Sequence, residues 1–305
     1  MTNLLVETLQ VIGLVFFQIF TSIFRFFIPN PKKDVTGEIV FITGAGSGLG
    51  RLMSLRFAKL GAIVVCTDIN KQANDAVVEE INSMGGKAHG YKSDCSNKDD
   101  IYRVADLVKQ EVGDVKILVN NAGIVSGKKL LETEDRMIQK TMEVNTMAHF
   151  WTTKAFLPDM LSKNHGHVVT IASSAGLTGV SGMCDYCTSK FGAVGFDESL
   201  RMELYQLKKT GVHTTVVCPY FINTGMFDGV KTRFPLILPI LEPNFVIDNI
   251  MDAVLRNKPM IYLPKILYTF FILKSILPCS CYYVLSDFFG IGAAMDSFKG
   301  RTKKD

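Results

Sequence analysis

Short apolar runs rich in β-branched residues recur along the chain: Ile39 to Thr43, Ile63 to Thr67, Ala88 to Ser93, Ile117 to Asn120, His167 to Ala172, Thr214 to Cys218 and Met260 to Leu263. Longer stretches with helical spacing of apolar residues fill the intervals. Strand-length runs alternating with helices predict a parallel sheet covered on both faces, because parallel neighbours need a crossover connection. The expected fold class is therefore α/β, a doubly wound parallel sheet with its site at the carboxyl ends of the strands. Met226 to Asn244 carries several prolines and few capping residues, so it is expected to be a mobile loop over the substrate.

Both ends of the chain break this alternation. Thr8 to Phe24 is free of charge, and as a helix it reaches about 26 Å, just enough to span a bilayer. It lacks the basic start and small-residue cleavage site of a removed leader. Arg25, Lys32 and Lys33 follow the run and Glu7 precedes it, which places the remainder in the cytosol. Pro29 and Pro31 end the helix. Beyond Tyr262, the apolar run Ile266 to Leu273 is interrupted by Lys265 and Lys274 too closely for a clean span. Two readings stand: an interfacial segment whose lysines reach the headgroups, or a hydrophobic lid or subunit contact. The expected organisation is an anchor at 1–28, a neck at 29–36, a catalytic domain at 37–263 and an apolar extension at 264–305.

The first strand runs into Gly44-Ala45-Gly46-Ser47-Gly48-Leu49-Gly50 and then a helical stretch. A strand, a glycine turn and a helix form a pyrophosphate cradle, with free amides and the positive helix end facing the anion. The second strand ends on Asp68, placed to accept hydrogen bonds from a ribose diol and to repel a 2′-phosphate. NAD is accordingly expected over NADP. Farther on, Tyr186 and Lys190 lie four residues apart, with Ser173 thirteen positions upstream. On one helix face the Lys190 ammonium favours the Tyr186 phenolate, making the phenol a usable acid or base.

With Asn120-Asn121-Ala122-Gly123 after the fourth strand, these pieces resemble the short-chain dehydrogenase/reductase family, a Rossmann-type fold, from Gly37 to Ile261. Five motifs stand in the family's order: Thr43 to Gly50, Asp94, Asn120 to Gly123, Ser173 with Tyr186 and Lys190, and Pro219 followed by Thr224. The resemblance implies a catalytic set of Ser173, Tyr186, Lys190 and Asn145, with Ser174 as the alternative serine. Ser173 would polarise the substrate oxygen, and Asn145 would hold a water linking Lys190 to solvent. It implies cofactor contacts at Gly44, Ser47, Gly48, Leu49, Gly50, Asp68, Asp94 (at the adenine), Asn121, Ala122, Gly123, Tyr186, Lys190, Pro219 and Thr224, while Asn120 braces the central strand. One departure is Tyr220 after Pro219, where the family usually has glycine. Within the family the chain is similar to the branch acting on retinol and 17-beta-hydroxysteroids, nearer to the retinol enzymes through Pro239 to Pro243.

Composition narrows the alternatives. A net charge of +4 with scattered lysines argues against nucleic acid. Seven cysteines lack two paired ligand sets, the Cys184-Asp185-Tyr186-Cys187 motif brackets the tyrosine, and the five histidines have no helical pairing with an acid, so no metal is expected. The expected function is NAD-dependent oxidation of a lipophilic alcohol, all-trans-retinol first by resemblance and a 17-beta-hydroxysteroid or other lipid alcohol second. The expected setting is the endoplasmic reticulum membrane with the catalytic domain facing the cytosol, or lipid droplets, with a homo-oligomer left open. A non-catalytic membrane scaffold is the rival of another class, and its signature would be a broken catalytic set.

Overall fold

Parallel pairing of seven short strands builds the centre of the molecule, in a computed structural model that describes residues 4–300. In chain order the strands are β1 (Ile39–Thr43), β2 (Ile63–Asp68), β3 (Lys87–Lys92), β4 (Ile117–Asn120), β5 (Gly166–Ile171), β6 (Val212–Pro219) and β7 (Met260–Leu263). They stand in the order β3-β2-β1-β4-β5-β6-β7, all parallel. The order reverses direction between β1 and β4, so a crevice opens there at the carboxyl ends. The apolar runs match the observed strands to within two residues at either end.

The helices are α1 (Leu4–Phe27), α2 (Gly48–Lys59), α3 (Lys71–Ser83), α4 (Lys98–Glu111), α5 (Asp135–Met142), α6 (Ala148–Lys163), α7 (Cys184–Gln206), α8 (Pro243–Leu255), α9 (Ile266–Ile276) and α10 (Cys279–Phe289), of which α2 to α8 flank the sheet and α1 stands apart from it. One apolar layer joins the sheet to α2 and α8, with Ile247 and Ile250 wholly buried. The other joins it to α4, α6 and α7. Each such buried side chain contributes about 1.5–3 kcal/mol relative to exposure. Asn70 and Asn97 start α3 and α4 by accepting hydrogen bonds from the first-turn amides. β3 is an edge strand with mostly exposed, polar side chains, which discourages pairing with another chain.

Among the described residues, α1 is the one helix long and apolar enough to cross a membrane, and it buries none of its length against the protein. The residues after it are not a free stalk. Lys33 donates its backbone N–H to Leu255 O at 2.7 Å, Val35 is buried, and the Arg256 guanidinium bonds Asn30 O. The Lys33 ammonium reaches His167 Nδ1 at 2.6 Å, and His167 Nε2 meets Thr215 Oγ1 at 2.8 Å. This contact lies at the amino ends of the strands, opposite the crevice.

The extension after β7 packs on the carboxyl end of the sheet. Leu267 is buried, and Tyr262 stacks with Tyr268 and Phe271 at 4.3 and 5.3 Å between centroids. Of the two readings of the extension, Lys274 fits the packed one. Its ammonium turns in to Leu177 O at 2.5 Å and lies over the rings of Phe191 and Tyr282. The outer faces of α9 and α10 remain apolar, with Ile272, Ile276, Tyr283 and Val284 exposed.

Burial holds His149 at about 3 and His167 well below the ordinary histidine value, both neutral in the fold. The unfolded chain takes up these protons first, near pH 6.5, so this stability is present above that pH and falls as pH drops toward 3. The thermal midpoint of the full chain in detergent is expected to fall steadily from pH 7 to pH 5, and a His149→Phe substitution to flatten the slope. An unchanged slope in that variant would remove His149 from the account.

Candidate active site

The crevice begins where β1 ends. Thr43 Oγ1 accepts hydrogen bonds from the backbone of Asn121 (2.9 Å) and Ala122 (3.0 Å), and Asn121 Nδ2 donates to Thr43 O and Gly44 O at 2.8 and 3.2 Å. This lattice ties the ends of β1 and β4 together. The chain then turns at Gly44, whose φ of +64° suits glycine, and enters α2 at Gly48. A Cβ at Gly50 would lie 2.0 Å from Gly44 O and 2.7 Å from Asn121 Nδ2, so the turn closes only with glycine there. Gly50 is buried behind the crevice wall; Gly44, Ser47, Gly48 and Leu49 face it.

A cavity of about 330 Å³ runs along this edge. Asp68 lines it at one end, held by hydrogen bonds from the Gly46 and Asn70 amides at 2.9 and 2.8 Å. Asp94 follows, its carboxylate bound by Ser96 and by Lys140 Nζ at 3.2 Å. Burial alone would raise the Asp94 value, but the Ser96 hydrogen bonds and the Lys140 ammonium together hold it below the usual carboxylate range. Asn121, Ala122 and Gly123 form the floor, and Pro219 and Thr224 close the far end. Every cofactor position expected from the sequence except Gly50 lines this one cavity. Lys140 also lines it, and sequence reasoning missed it because no motif marks a lysine arriving from α5.

At the far end the cavity meets a small apolar chamber of about 40 Å³ lined by Ala175, Val180, Met183, Leu267, Phe270 and Phe271 among others. Ser173, Tyr186, Tyr220 and Phe227 line both spaces, whereas Ser174 lines only the chamber. Tyr220, the departure from the family pattern, thus forms part of the partition. Phe227 meets the Tyr186 ring edge-on, with centroids 5.7 Å apart. Its neighbourhood, the loop expected to be mobile, is packed, with Val230, Leu238 and Leu241 buried.

Tyr186 and Lys190 lie one turn apart in α7, both buried, with Lys190 Nζ 5.7 Å from the Tyr186 ring centroid and 2.8 Å from Ile171 O. Burial lowers Lys190 to about 8 and pushes the Tyr186 phenol well above its ordinary value, while a hydrogen bond with Ser173 pulls the phenol back. Ser173 Oγ also accepts from Ala175 N at 3.1 Å and reaches Pro219 O at 3.4 Å.

Asn145 does not line the cavity. It sits in a widened π-type turn, Glu143–Met147, between α5 and α6. Its amide accepts from Ile124 N at 2.8 Å and donates to Ile124 O and Ser189 Oγ at 2.9 and 3.0 Å. The side chain therefore locks the loop after β4 onto α7, one residue before Lys190. Asn120 accepts from Thr152 Oγ1 at 2.7 Å and so fastens the end of β4 to α6.

The Gly50 contact makes a direct prediction. Gly50→Ala is expected to weaken dinucleotide binding by at least about tenfold, or 1.4 kcal/mol, measured by calorimetric titration with NAD. Unchanged affinity would mean that the turn is not the cradle.

Similarity to characterised chains is extensive. The model of the short chain dehydrogenase family matches residues 38–233. Human epidermal retinol dehydrogenase 2 is 52% identical over 278 residues, 91% of this chain and 90% of that protein. Human 17-beta-hydroxysteroid dehydrogenase 13 is 46% identical over 276 residues, 90% of this chain and 91% of that protein. Among solved structures, a short chain dehydrogenase/reductase from Burkholderia phymatum in complex with NAD superposes with a TM-score of 0.72 at 28% identity, covering 80% of this chain and 94% of that one. A parallel sheet reversing at β1 and β4, a glycine turn at its edge, and relatives this close along nearly the whole length lead to one assignment: the chain belongs to the short-chain dehydrogenase family and is an oxidoreductase of that type.

Proposed function

We propose that this protein oxidises a lipophilic alcohol, all-trans-retinol in the first place, with NAD. The observation that carries the reading is the meeting of two spaces at Ser173 and Tyr186: a cavity that runs from the Asp68 carboxylate past the glycine turn, and a small chamber walled mostly by apolar side chains. The residues fit a dinucleotide, since Gly44 and Gly50 permit close backbone approach and the Asp68 carboxylate is held in place by two amides. When bound, the nicotinamide supplies the hydride acceptor.

The protein's own groups handle the oxygen and its proton. Ser173 Oγ donates to the alcohol oxygen and fixes its orientation, and Tyr186 Oη as phenolate removes the hydroxyl proton. Lys190, charged below about 8, favours the phenolate and meets the ribose. Asn145 keeps α7 and the loop after β4 in register through its bonds to Ile124 and Ser189. The apolar wall excludes water from the reacting carbon. We assign residues 1–28 to an anchor in the endoplasmic reticulum membrane with the catalytic domain in the cytosol, a location suited to an alcohol that partitions into lipid. The likeness to a 17-beta-hydroxysteroid dehydrogenase supports a steroid alcohol as the second reading.

Membrane fractions offered all-trans-retinol and a 17-beta-hydroxysteroid in parallel, each with NAD or NADP, test this directly through NADH or NADPH formation. Retinol turnover is expected; steroid turnover alone would keep the chemistry and change the substrate, and turnover of neither would favour the scaffold. Tyr186→Phe is expected to lose about 10²- to 10⁴-fold in kcat with NAD affinity retained, and retained turnover would sink the role. Since burial raises the phenol, its base form grows as pH rises, so alcohol oxidation by the unaltered protein should accelerate from pH 7 into the alkaline range. A rate flat over that range would separate Tyr186 from the proton step.

Asp68→Asn keeps the shape of the side chain and removes its charge. The ratio of kcat/KM for NAD to that for NADP is expected to fall by about tenfold, the equivalent of 1.4 kcal/mol. A ratio that does not move would mean that nucleotide choice is made elsewhere.

A further inference from the structure

The last described segment, Ile291 to Gly300, returns across the catalytic end of the sheet and buries Ile291, Ala294 and Met295. Three glycines mark its path. A Cβ at Gly127 would fall 1.9 Å from Phe298 Cε1, one at Gly229 would fall 2.2 Å from Ser297 O, and one at Gly182 would fall 3.3 Å from Met295 Cβ. All three have positive φ, at +67°, +89° and +76°. Bare glycine at each crossing indicates that the segment is seated by design of the sequence rather than draped over the surface.

The backbone is tied down at the same place. Lys299 N and Gly300 N donate to Asp228 O at 2.8 and 3.2 Å, and Ser297 Oγ donates to Gly229 O at 2.6 Å. These bonds grip the chain immediately after Phe227. The Phe298 ring lies over Gly127 with its centroid 6.4 Å from that of Phe227, which itself stands edge-on to Tyr186 and to Phe221 at 5.7 and 5.1 Å. Phe227 is thus held between the proton-transferring tyrosine and the end of the chain.

We propose that Phe298 is a positioning residue: acting through Phe227, the segment Ile291 to Gly300 straps the loop from Phe227 to Val230 onto Tyr186 and completes the apolar wall against which the alcohol carbon rests. This rests on the alcohol-dehydrogenase reading above. The strap grips the loop at Asp228 and Gly229 and touches none of the residues at the Asp68 end of the cavity, where the dinucleotide is anchored, so its effect falls on the alcohol side, where Phe227 lines the chamber. Deleting the ring removes the support of Phe227, which lines the chamber, and so loosens the wall, the kind of apolar loss that costs about ten- to 200-fold in discrimination.

The test uses the full chain in membranes or detergent. Phe298→Ala is expected to raise KM for retinol about tenfold, with kcat changed much less and NAD affinity unaltered, and Phe298→Leu to recover most of the loss. Gly127→Ala in the unaltered background should reproduce the defect by displacing the ring, and should lose most of its effect once Phe298 is alanine. An unchanged KM in Phe298→Ala, a parallel loss of NAD affinity, or additive effects of the two substitutions would overturn the proposal. If the unaltered protein turns over neither alcohol, the functional reading fails separately, and hydrogen exchange of the amides from Phe227 to Val230 still decides the strap. Faster exchange in Phe298→Ala is expected, and unchanged exchange would overturn it.

Discussion

The crevice exists because Thr43 and Asn121 hold β1 and β4 together at the point where the connections on either side diverge. One hydroxyl accepts two backbone amides, and one carboxamide donates to two backbone carbonyls, so four polar groups at the edge of a buried sheet are satisfied by two side chains. Without that arrangement, the glycine turn would have no fixed wall to close against, and a buried unpaired amide would cost about 1–3 kcal/mol. Gly44 and Gly50 then bring the turn within contact of Asn121, and the cavity follows the resulting edge toward α7.

At the other end of the cavity the governing fact is desolvation. Burial moves Tyr186 and Lys190 toward their neutral forms, one upward and the other down to about 8. The Lys190 ammonium, 5.7 Å from the Tyr186 ring centroid, favours the phenolate by charge attraction. Burial of a titratable group opposes this with up to 3–5 pKa units, or about 4–7 kcal/mol. The phenol therefore remains protonated at neutral pH, a proton donor at rest and an acceptor only as pH rises. The spacing of the pair is visible in the sequence; the sign of the net effect is not, because it depends on how completely the fold covers both groups.

The same division runs through the rest of the molecule. Period and turn chemistry made the strands legible, and Gly44 and Gly50 of the glycine turn each carry a local reason for their identity. Lys140, Phe227 and Phe298 were opaque because each acts through a neighbour distant in sequence. Lys274 left two readings open because a lysine in an apolar run is equally compatible with a headgroup and with a packed lid, and the packing of α9 brings its ammonium to Leu177 O. Lys33 and Val35 read as linker by their prolines, yet they pack on the amino ends of the strands. Asn145 was marked by resemblance, and the geometry shows its amide spent on Ile124 and Ser189.

The position of Phe298 downstream of every strand also orders events during synthesis. Translation delivers the strands that carry the nucleotide cradle before the segment that backs Phe227, and folding can follow that order. A nascent chain can thus pair the strands of its cradle while the wall beside Tyr186 is still incomplete.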